Sequence, residues 1–379
     1  MIQLIGIVTT TIRIPKNLPE IYRNALLYDR VDDIQFYIIG DKGTPLARIQ
    51  KYLLPRMDNF KVLSLRDQKK WLRDNFGRKK ARVYETVFQE RNYQRRIIGF
   101  LMAVQDGATS IIALDDDNYP TDRDFIGEHL RALFKSDGLS ISSDLSYINL
   151  LDFLEKYPRP KTRIYVRGYP LHLRGEPSYS LNGPSSLKPA VNIGLWEGDP
   201  DIEAISRIAC PNIKTGLSTK SRLYSLAIAK DNFTSMCLQN ISFRSDVLIT
   251  QYEFPMNIPI GGLRLGRYDD IWAGYVCKKV LDRVGRHLLF GPPIAIHKRN
   301  PHDVHKDLLN EFWGMYLNSF FYTAIQEIQL EEKDVFSCFV ELVTKLSKRI
   351  HFTDEDINGY FLRVFTDMLL WAEMIDKLF

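Results

Sequence analysis

Residues 110–120 read Ser110-Ile111-Ile112-Ala113-Leu114-Asp115-Asp116-Asp117-Asn118-Tyr119-Pro120. The apolar run Ser110–Leu114 suits a buried strand, so three carboxyls emerge at its carboxyl end, where open α/β sheets bind their ligands. Hard carboxylate oxygens with no His or Cys nearby favour Mg²⁺ or Mn²⁺ over zinc, and such ions bridge carboxylates to substrate phosphates. Taken alone, the same stretch also reads as a solvated acidic turn.

Outward from this run, strand-like segments at 2–8 and 34–39 alternate with helix-like stretches around 18–28, 45–54 and 81–105. That βαβ rhythm predicts an α/β fold with a largely parallel, doubly wound sheet. Gly40-Asp41-Lys42-Gly43-Thr44-Pro45 follows the second strand and has the composition of a ligand-facing loop, or equally of a plain surface turn. Residues 157–200 are rich in Pro and Gly and are expected to be irregular, or short strands decorating the sheet, with room for a substrate lid. From about Pro301 the pattern turns helical, over Leu308–Ile328 and Asp334–Ile350, with a last helix starting at a capping-box-like Thr353 and Asp356. The expected organisation is a catalytic domain over 1–300 and a helical appendage over 301–379.

The composition narrows the function classes. A chain of 379 residues that is 45% hydrophobic buries a sizeable core, and 51 basic against 46 acidic residues give +5, enough for a phosphate-bearing ligand without pointing to nucleic acid. Cys210, Cys237, Cys277 and Cys338 lie far apart with no CxxC pair, which sets a reduced, cytoplasmic location as the expectation. The apolar start of the chain is too short for a membrane span and lacks a basic leader, so no targeting signal is expected.

Several further groups bear chemistry. Asp269-Asp270 in Gly266-Arg267-Tyr268-Asp269-Asp270 either cap a helix or supply a carboxylate that orients hydroxyls and moves a proton. His297 closes the apolar Pro292–Ile296 run and is reasonable beside a carboxylate-bound Mn²⁺. His302 and His305 are spaced i, i+3, but with no third soft ligand they read as a solvated helix start. Arg167 and Arg174 flank a Gly-Tyr-Pro turn, and their planar guanidinium groups could clamp a pyrophosphate. Trp196, in a Gly-rich setting, packs either against a sugar face or into the core.

In this order the segments resemble the reversibly glycosylated polypeptides, the UDP-arabinopyranose mutases of plants, and related metal-dependent pyranose–furanose mutases on a glycosyltransferase-A fold. The matching pieces are Thr11-Ile12-Arg13, Ile39–Pro45, Asp115–Asp117, Arg167-Gly168-Tyr169-Pro170 with Arg174, and Gly194-Leu195-Trp196 with Pro200-Asp201. Met236-Cys237 with Asn240, Gly266–Asp270 with Trp272-Ala273-Gly274, and His297 complete the set, which spans roughly residues 5–300.

The resemblance implies a glycosyltransferase-A-like (Rossmann-like) mixed sheet flanked by helices, and an Mn²⁺ or Mg²⁺ cofactor with no flavin. It implies a UDP- or GDP-linked sugar as substrate, and either ring isomerisation or, alternatively, transfer to a separate acceptor. It assigns the metal to Asp115, Asp117 and His297, and the nucleotide-sugar to Thr11, Arg13, Asp41, Asp115, Asp116, Trp196 and Asn240. Arg167, Arg174, Asp269 and Asp270 are the expected catalytic groups, with Arg167 facing the departing pyrophosphate. Departures from the plant pattern lie at Asn118-Tyr119, 66–91, 175–190 and beyond 310. Trp313, Phe320, Phe321 and Tyr322 are candidates for a homo-oligomer face, or for packing the helices on the sheet.

Overall fold

Strand β1 (Ile5–Thr11) runs parallel to β2 (Ile34–Gly40) on one side and to β4 (Ser110–Leu114) on the other, and β3 (Phe60–Leu63) pairs parallel with β2. The computed structural model that shows this describes residues 4–135, 138–183, 185–216, 225–299 and 303–379. Three further long strands, β5 (Pro189–Gly198), β6 (Asn240–Arg244) and β7 (His287–His297), extend the sheet in the order β3-β2-β1-β4-β6-β5-β7. β6 is antiparallel to both β4 and β5, whereas β5 and β7 are mutually parallel, so the sheet is mixed. The chain winds one way from β1 through β2 to β3 and then crosses back to β4. That reversal opens a crevice outside the carboxyl ends of β1 and β4.

The sheet forms because alternate residues have apolar layers to enter on both faces. Ile5, Ile7, Phe36, Ile38, Ile112 and Leu114 pack under helices α1 (Leu18–Leu27), α2 (Leu46–Leu53) and α5 (Phe125–Phe134). Val8, Tyr37, Ile39, Ile111 and Ala113 enter the opposite layer with α3 (Leu65–Tyr84), α4 (Arg96–Gln105) and α6 (Asp269–Arg283). Burial on both faces is why these strands read as unbroken apolar runs.

Two expectations are corrected. The helix expected over 81–105 is split, because Arg91 takes a left-handed φ of 58° and the extended Asn92 accepts a hydrogen bond from Gln94 N, capping a new turn ahead of α4. Residues 157–200 hold a ten-residue strand, β5, inside the sheet between β6 and β7 rather than decoration on it, since Ala190–Trp196 is buried throughout. His302 lies outside the described residues.

The C-terminal region is helical, as expected: α7 (Val304–Glu327), α8 (Val335–Arg349) and α9 (Glu355–Leu378). The cap of α9 is Asp354, which accepts from Ile357 N at 3.0 Å, one residue beyond Thr353. These helices share one apolar layer with the sheet. Phe321 lies 5.4 Å from the Trp272 ring, and Trp371 donates to the Ile249 carbonyl at 2.9 Å. Of the four aromatic residues suggested for an association face, Phe321 and Tyr322 are buried in this layer and Phe320 is exposed, while Trp313 is half-buried and donates to the Ile260 carbonyl. No described helix is long and apolar enough to cross a membrane.

Candidate functional site

Because β1 and β4 are neighbours across the crevice, Thr11 and the acids after Leu114 meet. The Thr11 hydroxyl donates to Asp116 Oδ2 at 2.5 Å and accepts from Arg13 N at 2.9 Å. Asn17 ties the acidic loop by donating to the carbonyls of Asp115 and Asn118, both at 2.9 Å. The three carboxyls diverge. Asp115 Oδ1 accepts from the buried Arg96 Nη1 at 2.9 Å, yet burial and its acidic neighbours push its pKa up to about 6. Asp116 turns to Thr11, and Asp117 turns to His297.

The last meeting follows from strand pairing: Asn118 lies opposite His297 in antiparallel register, which sets Asp117 Oδ2 3.6 Å from His297 Nε2. His297 Nδ1 is 2.7 Å from the Asp199 carbonyl, a contact that only a protonated Nδ1 can make, so the Nε2 lone pair of the neutral ring faces the carboxylate. Burial alone would lower the His297 pKa, but the Asp117 carboxylate raises it overall. Two electron-rich atoms at this spacing are stabilised by a proton or a cation between them.

Among the described residues no three or more His, Cys, Asp or Glu groups are gathered to enclose a metal. A carboxylate oxygen and an imidazole whose other nitrogen is fixed by a carbonyl nevertheless fit Mn²⁺ or Mg²⁺, provided the ligand completes the shell. Asp115 is held back from such a set by Arg96.

A cleft of about 510 Å³ opens beside Asp116 and Asp117, lined by the cations Arg13, Lys16, Arg48 and Lys298 together with Ile12, Pro45 and Tyr119. The Gly40–Thr44 loop joins it through Thr44, whose hydroxyl accepts from Asp41 N and donates to the Thr11 carbonyl, both at 2.8 Å. The Asp41 carboxylate itself faces inward, accepting from Lys42 N and from Asn92 N at 3.2 Å.

The Arg167 segment lies deeper. Its guanidinium donates from Nε to Asp201 Oδ1 at 3.0 Å, from Nη2 to Asp201 Oδ2 at 2.8 Å and Asp270 Oδ2 at 3.0 Å, and from Nη1 to Asp270 Oδ1 at 3.0 Å and to the Arg267 carbonyl. All five N–H groups are engaged by the protein. The pairing holds Asp201 well below the usual carboxylate range in spite of its burial. Gly168 must be glycine: its φ is 86°, and a Cβ there would sit 2.4 Å from Ile271 Cδ1. Its carbonyl accepts from Tyr275, Tyr147 and Asn318. Arg174 pairs with the buried Glu203 and stacks 4.7 Å over the Tyr165 ring. Burial pushes Glu203 up to about 7.

Asp269 and Asp270 differ sharply. Asp270 is clamped by Arg167 and accepts from the backbone N–H groups of Leu238 and Ile271. Asp269, at the first turn of α6, has no such clamp, and burial together with the adjacent Asp270 carries it up to about 7. Trp196 and Asn240 stand apart from the cleft. Trp196 is buried in β5, and Asn240 forms an interior knot with His129 at 2.9 Å and the Gly194 carbonyl at 3.0 Å. Arg96 and Arg267 were not anticipated. A legible signal for Arg96 is an arginine opening the otherwise apolar helix Arg96-Ile-Ile-Gly-Phe-Leu-Met; Arg267 stands inside the Gly266–Asp270 piece, two residues before Asp269, but its contacts depend on a left-handed backbone that spacing does not reveal.

A family profile described as "Reversibly glycosylated polypeptide" matches residues 68–378, which carries the likeness through the C-terminal helices and leaves β1 to β3 outside it. The chain is 27% identical over 273 residues to a probable UDP-arabinopyranose mutase 1 of Pisum sativum, covering 71% of this chain and 68% of that one. UDP-arabinopyranose mutase 2 of Arabidopsis thaliana is 27% identical over 273 residues, with 71% and 68% covered. A probable UDP-arabinopyranose mutase 1 of Solanum tuberosum is 29% identical over 218 residues, with 56% and 54% covered. Among solved structures, glucosyl-3-phosphoglycerate synthase from Mycobacterium tuberculosis, with Mn²⁺, UDP and phosphoglyceric acid, aligns at TM-score 0.39 and 11% identity over 86% of this chain and 80% of that one.

Proposed function

We propose, because the chain belongs to the reversibly glycosylated polypeptide family, that it is a metal-dependent nucleotide-sugar mutase interconverting the pyranose and furanose forms of a UDP- or GDP-linked sugar. The observation that carries this reading is the Asp117–His297 pair, 3.6 Å apart, at the edge of a cleft lined by four cations. That is the charge pattern a diphosphate with a divalent cation needs. The relatives' names put UDP-linked arabinopyranose first among the substrates to test.

Arg13, Lys16, Arg48 and Lys298 bind the phosphates, while Thr11 and Asp116 fix the loop beside them. When bound by Asp117 and His297, the cation supplies neutralisation of the negative charge that grows on the diphosphate. The anomeric C–O bond breaks and its electron pair leaves on the diphosphate oxygen. A hydroxyl oxygen of the same sugar then attacks the anomeric carbon, giving its proton to Asp269, whose pKa near 7 lets it take and return one. The original ring C–O bond breaks, its oxygen recovers that proton, and the diphosphate oxygen closes on the anomeric carbon again. Atoms, charge and protons balance without an acceptor. Arg167 and Arg174 act here by holding Asp270, Asp201 and Glu203 in place.

The test is to incubate the purified protein with Mn²⁺ and UDP- or GDP-pyranoses and to separate the products by chromatography. A furanose isomer formed with no acceptor present supports the mutase. Slow hydrolysis alone, with transfer on adding an acceptor, refutes it in favour of a glycosyltransferase.

A further inference from the structure

We propose that Arg267, rather than Arg167, is the guanidinium that meets the diphosphate as the anomeric bond breaks; this rests on the nucleotide-sugar reading above. A leaving diphosphate gains negative charge, and only a donor that is not already consumed can answer it. Arg167 has no such donor, since its five N–H groups end on Asp201, Asp270 and the Arg267 carbonyl, and its side chain is 6% exposed.

Arg267 is built differently. Its backbone has φ 62°, a left-handed conformation that non-glycine residues rarely adopt and that recurs at functional sites. The turn sends its carbonyl back to Arg167 and its side chain towards α7. There Nε donates to Glu311 Oε1 at 2.8 Å, and Nη1 reaches Asp307 Oδ1 only at 3.5 Å. Glu311 is fully buried and is fixed by Ala204 N at 2.8 Å, so the guanidinium stands on a rigid post. The Nη2 N–H groups have no protein acceptor among the described residues, and the side chain is 24% exposed.

Its outlook is towards the chemistry. Asp269 follows two residues later, at the first turn of α6. Asp307, its weak partner, also pairs with Arg299 at 2.6 Å, two residues past His297. Arg267 is thus joined through Asp307 and Arg299 to the strand end that carries His297, and along its own turn to Asp269.

The experiment compares wild type, Arg267→Gln and Arg267→Lys in two assays: turnover of the nucleotide-sugar, and calorimetric binding of UDP against UMP and of GDP against GMP, with Mn²⁺. Arg267→Gln is expected to lower kcat by about 100-fold with KM changed less than about 5-fold, and to weaken diphosphate binding by about 10-fold while sparing the monophosphate. Lysine keeps the charge on Glu311 but loses the planar fork, so Arg267→Lys should melt like wild type and still lose about 10-fold in kcat. If Arg267→Gln does not fold, the Arg267→Lys comparison decides. A folded variant with wild-type kcat and unchanged discrimination between di- and monophosphate overturns the proposal. Wild-type protein inactive on every nucleotide-sugar sinks the mutase reading instead, and the diphosphate-binding arm still judges Arg267.

Discussion

Replacing Arg167 by Met removes one buried cation and strands two buried carboxylates, Asp201 and Asp270, which now take four of its five N–H groups. Removing one partner of a buried ion pair costs about 3–5 kcal/mol. With two carboxylates left unpaired, the loss should lie at about the upper end of that range, a large part of a total stability of about 5–15 kcal/mol. The pH dependence gives a second handle. In the wild type Asp201 is held below its unfolded value, so its contribution to stability is present above about pH 4 and is lost as pH falls through the lower folded value. In the variant, burial without the guanidinium raises the same carboxyl, so its contribution is present at low pH and is lost as pH rises. The gap between wild type and variant should therefore narrow from pH 7 to pH 5. Urea unfolding followed by tryptophan fluorescence at both pH values measures it. A loss below about 1 kcal/mol, or a gap that widens on acidification, would refute the assignment of Arg167 as a structural pillar.

Wild-type kcat is expected to rise through a limb near pH 7 as Asp269 ionises, and Asp269→Asn to lower kcat by about 100-fold and remove that limb; a variant keeping it would move the proton role elsewhere. Asp117→Asn should abolish Mn²⁺-dependent turnover and weaken Mn²⁺ binding in the presence of UDP or GDP, with thermal stability little changed; calorimetry checks this, and undiminished Mn²⁺ affinity would remove Asp117 from the metal. Gly168→Ala meets both an unfavourable φ of 86° and Ile271 at 2.4 Å, so it should cost about 2 kcal/mol or more in a denaturant melt, and a neutral outcome would mean that the turn relaxes easily.

The parts of the fold legible in the sequence were those whose cause is local. β1, β2 and β4 are apolar because both sheet faces are covered, and the C-terminal helices carry an apolar stripe that their packing on the sheet requires. β5 is hard to read from the sequence because its flanks are rich in Pro and Gly and because Asn192 and Gly194 interrupt the apolar residues of Ala190–Trp196. The split between α3 and α4 depends on a left-handed Arg91 and an extended Asn92 that makes long-range bonds to Asp41 and Met256, contacts that spacing does not reveal. At the site the acids and His297 could be named from the strand ends. Which arginine is spent on structure could not, because Asp201 and Asp270 reach Arg167 across 34 and 103 residues. The same distance-blindness put Trp196 and Asn240 on the ligand, when both are interior.

In the proposed reaction the anomeric C–O bond breaks at the diphosphate and re-forms without an acceptor. Positional isotope exchange tests it most directly. A UDP- or GDP-pyranose carrying ¹⁸O in the bridge between the anomeric carbon and the β-phosphorus is incubated with the protein and Mn²⁺, and the label is followed by ³¹P NMR. The ¹⁸O is expected to scramble into the non-bridging β-phosphate positions, in step with the appearance of the furanose and only with the metal present. A furanose product that retains all of its label in the bridge would contradict it.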